Sequence, residues 1–174
     1  MIWRVGSKAD AVGRALADAH YSRRKVGAPQ FMPPGETLVL VAFDGSAVFG
    51  WWRPHPASGL RSMNGLDGWT CSIFRYERGL SVGEAVWGGR RRPLASTLIL
   101  EAETMLVASK GSCGPDGLLT YVWDAKVASP NPGYCFKCAG WRVHPKPKSA
   151  DGKKTLLWKP WDLAGKPAEV RHAA

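Results

Sequence analysis

Residues 117–141, GLLTYVWDAKVASPNPGYCFKCAGW, decide how the rest of the chain reads. Leu118-Leu119-Thr120-Tyr121-Val122-Trp123 is a short apolar run rich in strand-forming residues, and it stops at an acid, Asp124. Pro130 and Pro132 break regular structure in the loop that follows. Tyr134 to Ala139 reads as a short helical turn, closed by Gly140 in the position that suits a left-handed helix cap. Trp141 then opens a new strand.

Outward from this stretch the pattern repeats in both directions. Ile2–Val5 reads as a first strand, with Ser7 as a helix cap. From Ala9 to His20 the residues Ala11, Val12, Ala15, Leu16 and Ala19 fall at helical spacing, with Arg23, Arg24 and Lys25 in the last turn. Thr37–Phe43 and Ser46–Arg53 flank Asp44-Gly45, a strong hairpin signal. Trp69–Tyr76 is the next strand, with Trp69, Cys71, Ile73 and Arg75 expected on one face and Thr70, Ser72, Phe74 and Tyr76 on the other. Pro93 precedes a helix over Leu94–Ala108, whose stripe is Leu94, Leu98, Ala102, Met105 and Leu106. Downstream, Trp141–His144 is a strand, Pro145–Lys154 a basic turn and Lys154–Lys159 the closing strand. The expectation is an α/β (α+β) fold with a mixed central sheet of seven strands flanked by helices. One domain should span residues 1–161, with 162–174 a flexible tail.

The chain carries 24 Lys and Arg against 14 Asp and Glu, a net charge of +10. Such a bias in a small domain points to a polyanionic partner, nucleic acid first. No apolar run approaches the ~20 residues of a membrane span. The start, MIWRVGSKAD, lacks the apolar core of a signal peptide, so no membrane association and a cytoplasmic location are expected. Cys135 and Cys138 form a CxxC without a second pair, and their spacing reads as a shared buried helix face.

Two sets of cations are candidates for phosphate. Arg90, Arg91 and Arg92 stand in front of the helix whose first turn holds Ser96 and Thr97, a place where free N–H groups and the helix dipole favour the phosphates of a cofactor such as CoA. Arg23, Arg24 and Lys25 lie beside Tyr21, and Trp51 and Trp52 beside Arg53. Those combinations offer charge for a DNA backbone and aromatic faces for an extruded base.

The order of elements resembles the GNAT acyltransferase superfamily, whose mixed sheet splays between its fourth and fifth strands to admit acetyl-CoA. Here those strands are Trp69–Tyr76 and Leu118–Trp123. The likeness implies that fourth-strand amides polarise the thioester carbonyl, that Tyr134 protonates the sulfur and that Asp124 orients or deprotonates the acceptor amine. Three shorter motifs narrow it: His20-Tyr21-Ser22; Ser72-Ile73-Phe74-Arg75 with Glu77; and Trp123-Asp124 followed by Pro132-Gly133-Tyr134-Cys135-Phe136-Lys137-Cys138-Ala139-Gly140-Trp141. Together they resemble the Mom family, divergent GNAT-like phage enzymes that convert adenine in DNA to an N6-carbamoylmethyl form and so defeat host restriction. The resemblance implies activity at His20, Tyr21, Arg75, Asp124 and Tyr134, acetyl-CoA as cofactor, and iron with His20 and Asp124 as candidate ligands. It also implies a DNA adenine as substrate, in the host cytoplasm. Two other readings are compatible with the residues: a GNAT-fold transferase acting on a protein or small amine, and a non-catalytic basic module that binds nucleic acid.

Overall fold

The computed structural model describes residues 1–58, 63–77, 92–127, 129–149 and 151–167. Seven strands, β1 (Trp3–Gly6), β2 (Glu36–Ala42), β3 (Ala47–Arg53), β4 (Trp69–Tyr76), β5 (Leu118–Trp123), β6 (Arg142–Lys148) and β7 (Lys154–Lys159), form one sheet in the order β1-β2-β3-β4-β5-β7-β6. Neighbours are antiparallel except β4 and β5, which run parallel. Helix α1 (Ala11–Asp18) lies on one face, and α2 (Ala95–Lys110) and α3 (Tyr134–Cys138) lie on the other.

The two faces are filled by alternating residues of the same strands. Leu38 and Leu40 of β2 and Phe49 and Trp51 of β3 pack with Leu98, Ala102 and Leu106 of α2. Val39 and Val41 of β2 and Val48 of β3 pack with Leu16 and Ala17 of α1 and with Phe31 and Met32. The segment between α1 and β2 therefore contributes to the core. Helix α1 is capped by Asp10, whose Oδ1 accepts the Gly13 N–H at 2.9 Å; Ser7 Oγ accepts only from Ala9 in the turn before. This helix ends at Asp18, so Arg23, Arg24 and Lys25 lie beyond its last turn. In α2, Ile99 and Glu103 join the buried stripe and Leu94 sits exposed at the N-cap.

The expected alternation along β4 fails at Ser72. Gly50 of β3 faces Ile73, and Trp51 faces Cys71, which leaves Ser72 without a partner. One extra residue is a β-bulge, and it reverses the side to which later residues point. Trp69, Cys71, Phe74 and Tyr76 consequently all reach the α2 side, and Ile73 the α1 side. Gly50 sits against this bulge. A Cβ there would meet Met32 Sδ at 2.5 Å and Ile73 Cγ2 at 2.7 Å.

At the far edge β6 runs on through Pro145 to Lys148, where a basic turn was expected. An edge strand tolerates proline because its outer N–H groups need no ladder partner. Of the expected tail, residues 162–167 are held against the domain, and 168–174 lie outside the described residues. Gly165 N–H and Lys166 C=O bond to a buried pair, Glu103 and Lys159, at 2.7 Å each. Glu103 also accepts from Lys159 Nζ at 2.7 Å and from Trp141 Nε1 at 2.6 Å, and Lys159 donates to Ala139 C=O at 2.6 Å. Both side chains are out of water, at 0% and 1% exposure. Burial pushes the Glu103 carboxyl up, against the pull of Lys159 and the surrounding donors.

Candidate functional site: the opening between the fourth and fifth strands

Parallel pairing between β4 and β5 lasts three residues: Trp69 with Leu118, Thr70 with Leu119 and Cys71 with Thr120. Beyond these, β4 follows β3 through the Ser72 bulge, and β5 continues against β7 as far as Trp123 and Lys154. The facing edges lose their strand partner and a cleft of about 290 Å³ lies there. Its walls are Thr70–Phe74 of β4 and Thr120–Val122 of β5, with Phe136 from α3 and Lys154 from β7. The segment after α1 supplies His20, Tyr21, Ser22 and Arg24, and β3 supplies Trp52.

Polar groups in the cleft fall into distinct electrostatic states. His20 is held down to about 4 by burial and by the nearby Arg75 charge, so it is neutral at neutral pH. The Ser22 N–H donates to its Nδ1 at 3.2 Å, which leaves the proton on Nε2. The His20 and Tyr21 rings pack at 4.2 Å. Burial raises the Tyr21 phenol, although a bond from the Trp123 backbone works the other way. Tyr121 is pushed up to about 12, by burial first and then by Asp116. Both phenols therefore keep their protons. Burial also drives the Cys71 thiol far up, so it is no thiolate nucleophile. Thr120 donates to Cys71 C=O at 3.2 Å and stitches the strands at the point where they part. Thr70 Oγ1 is buried without a hydrogen-bond partner. A hydroxyl in that state is costly unless something in the cleft satisfies it.

Asp124 stands at the tip of β5 outside the cleft wall. Its Oδ2 accepts from Lys148 Nζ at 2.6 Å and Thr155 Oγ1 at 2.8 Å, while Oδ1 is buried and unpartnered. Desolvation opposes ionisation, but these two bonds outweigh it and hold the carboxyl below its ordinary range.

Of the residues picked from the sequence, His20, Tyr21, Arg24 and Trp52 come together at the cleft. Others are turned elsewhere. Arg75 donates to Ala19 C=O and Glu77, both at 2.6 Å, tying β4 to the end of α1. Arg23 donates to Asp18 at 2.7 Å and reaches Ala28 C=O, and Arg53 donates to Asp67 at 2.7 Å. Lys25 is exposed. Trp51, expected beside Trp52 as a stacking face, is fully buried and donates to Ala102 C=O. Tyr134 is 61% exposed at the head of α3, with Cys138 as its hydrogen-bond partner. Cys138 is exposed and Cys135 half-buried, so the two do not share a buried face; Phe136 is the buried residue of α3. Ser96 and Thr97 occupy the first turn of α2, where the Leu94 cap makes no side-chain bond. Arg92 is half-buried, and Arg90 and Arg91 lie outside the described residues.

Among the described residues no three His, Cys, Asp or Glu side chains are grouped to hold a metal ion. Nδ1 of His20 and Oδ2 of Asp124 are bonded within the protein. Among the described residues no helix is long and apolar enough to cross a membrane.

Sequence reasoning missed Thr70, Thr120, Tyr121 and Lys154. The two threonines were marked by their place: hydroxyls in the middle of apolar strand runs, WTC and LLTYVW. No protein-family profile, curated protein or solved structure matches the chain.

Proposed function

We propose that this chain is a GNAT-like transferase of the Mom type, which takes an acyl-CoA thioester into the opening between β4 and β5 and modifies the exocyclic N6 of adenine in DNA. One observation carries the reading: a single parallel strand pair, in an otherwise antiparallel sheet, that parts at a bulge after three residues. Unpaired strand edges recognise extended chains that carry amides, as in strand addition, and the pantetheine arm of acetyl-CoA is such a chain. The bulge re-aims backbone at Ser72 and Ile73, where N–H groups would meet a thioester carbonyl. The start of α2, with its uncapped first turn and Ser96, Thr97 and Arg92, would hold the cofactor phosphates. Acetyl-CoA would supply the activated acyl group.

The chain's own groups then have separate tasks. Tyr21 lines the cleft and keeps its phenolic proton, so it takes the acid role in preference to the outward Tyr134. Neutral His20 donates from Nε2 to orient the acceptor base. Asp124, ionised at the tip of β5, orients the acceptor side of the opening through Lys148 and Thr155. Thr70 offers the buried hydroxyl that a ligand would satisfy. The net charge of +10 and the cleft-side Arg24 and Lys154 favour DNA as the acceptor. Calorimetric titration of the purified protein with acetyl-CoA tests the cofactor half. Saturable binding that is lost when Ser72 is deleted supports the cleft. No heat of binding to folded wild-type protein removes acyl-CoA from the reading.

A further inference from the structure

We infer that the β6–β7 hairpin, with Lys126 beside it, is the surface that grips the DNA backbone, in place of the cations around α1 and β3. The inference rests on the reading of the cleft as one that acts on DNA. Residues 124–159 carry eight Lys and Arg against two Asp, more than half of the chain's net +10. Position in the fold sharpens the contrast. Arg4, Arg23, Arg53 and Arg75 are each paired with an acid at 2.6–2.7 Å, which neutralises four of the cations outside this region. On the hairpin, Arg142, Lys146 and Lys153 are exposed, as is Lys126, and none has an ion pair among the described residues.

The two acids of this region leave its cations in clear excess. Asp151 is exposed and accepts from Ser149 Oγ at 2.5 Å and the Lys153 N–H at 3.1 Å. Asp124 is bonded to Lys148 and Thr155, which anchors both strands of the hairpin to the tip of β5. The Asn64 amide donates to Lys148 C=O at 3.0 Å and holds β6 from the other side. The cations are thus displayed on a fixed support, which suits phosphates at fixed spacing.

An aromatic surface sits among them. Lys126 and Lys154 each place Nζ 5.8 Å from the Trp123 ring, and Trp123 faces Lys154 across β5 and β7. Lys154 also lines the cleft, so the basic surface begins at the cleft mouth. A backbone lying along the hairpin would bring its bases to the opening, with Trp123 at the edge as a stacking surface.

Fluorescence anisotropy with a labelled DNA duplex, titrated over a range of salt, tests this with the full chain. K146Q/K153Q removes two exposed hairpin charges, and R14Q/K25Q removes the same charge near α1. The hairpin variant is expected to flatten the slope of log affinity against log salt by about 1.8, about 0.9 for each phosphate contact, with R14Q/K25Q leaving the slope unchanged. An unchanged slope in K146Q/K153Q, or equal flattening in both variants, overturns the inference while the DNA reading stands. Failure of the wild type to bind duplex at about 50 mM salt, with or without binding to anionic phospholipid vesicles, overturns both.

Discussion

Removing the ammonium of Lys159 should unfold this protein more readily than any substitution in the cleft. Lys159→Met keeps length and apolar volume but leaves the Glu103 carboxylate, at 0% exposure, without its counter-charge. Ala139 C=O and Lys166 C=O lose their donor in the same step. Breaking a buried pair by removing one partner costs about 3–5 kcal/mol. With a urea dependence of about 1–3 kcal/mol/M for a domain of this size, the midpoint should drop by roughly 1–5 M. The pH dependence separates this from lost packing. Burial already raises Glu103, and losing Lys159 raises it further, so the folded variant binds a proton that the unfolded chain releases. Stability of the variant must then rise, relative to wild type, as pH falls from neutral towards the ordinary carboxyl range. Urea unfolding at two pH values, followed by tryptophan fluorescence, reads both effects. A loss below about 1 kcal/mol, or a deficit that does not shrink in acid, would refute the buried pair as the tie between α2, β7 and the segment after it.

Other consequences are as specific. Thr70→Val removes a buried hydroxyl that has no partner, so thermal stability should hold or rise by about 1 kcal/mol while transfer activity falls; a clear loss of stability would mean that the hydroxyl is bonded in the free protein. Gly50→Ala forces a Cβ against Met32 and Ile73 at the bulge and should cost about 1–3 kcal/mol, part of it recovered by Met32→Ala in the same chain; wild-type denaturation midpoints would contradict the packing. His20 is depressed to about 4 in the folded chain, so its contribution is present above the ordinary imidazole range and is lost as pH falls from about 6.5 towards 4. His20→Gln should flatten the stability profile in that window, and an unaltered profile would place the ring in water.

Strand positions were legible because their signal is local. Alternating apolar runs such as TLVLVAF and the Asp44-Gly45 turn specify β2 and β3, and β4, β5 and β7 begin and end at the residues their composition indicates. The bulge was not legible. Nothing in SIFRY marks Ser72 as an extra residue; it is set by the mismatch with β3 and by the space that Gly50 leaves for Met32. The fate of the arginines was hidden for a related reason. Asp67 and Glu77 reach Arg53 and Arg75 only after the strands are in place, and they remove both from the candidate site. Glu103 and Lys159 lie 56 residues apart in the chain, and the meeting of α2 with β7 buries them. The motif around His20 and Tyr21 was readable as residues, but its partner across the opening, Thr70 with Thr120, is a product of the parallel strand pair.

The central claim is that the opening between β4 and β5 performs chemistry on DNA adenine. The most direct measurement is mass spectrometry of nucleosides from plasmid DNA isolated from cells expressing the chain, beside Tyr21→Phe and Asp124→Ala. A new adenine adduct in the wild type, with a mass that separates acetyl from carbamoylmethyl, and its loss in both folded variants, is the predicted result. Unmodified adenine despite abundant folded protein, or an adduct undiminished in both variants, would contradict it.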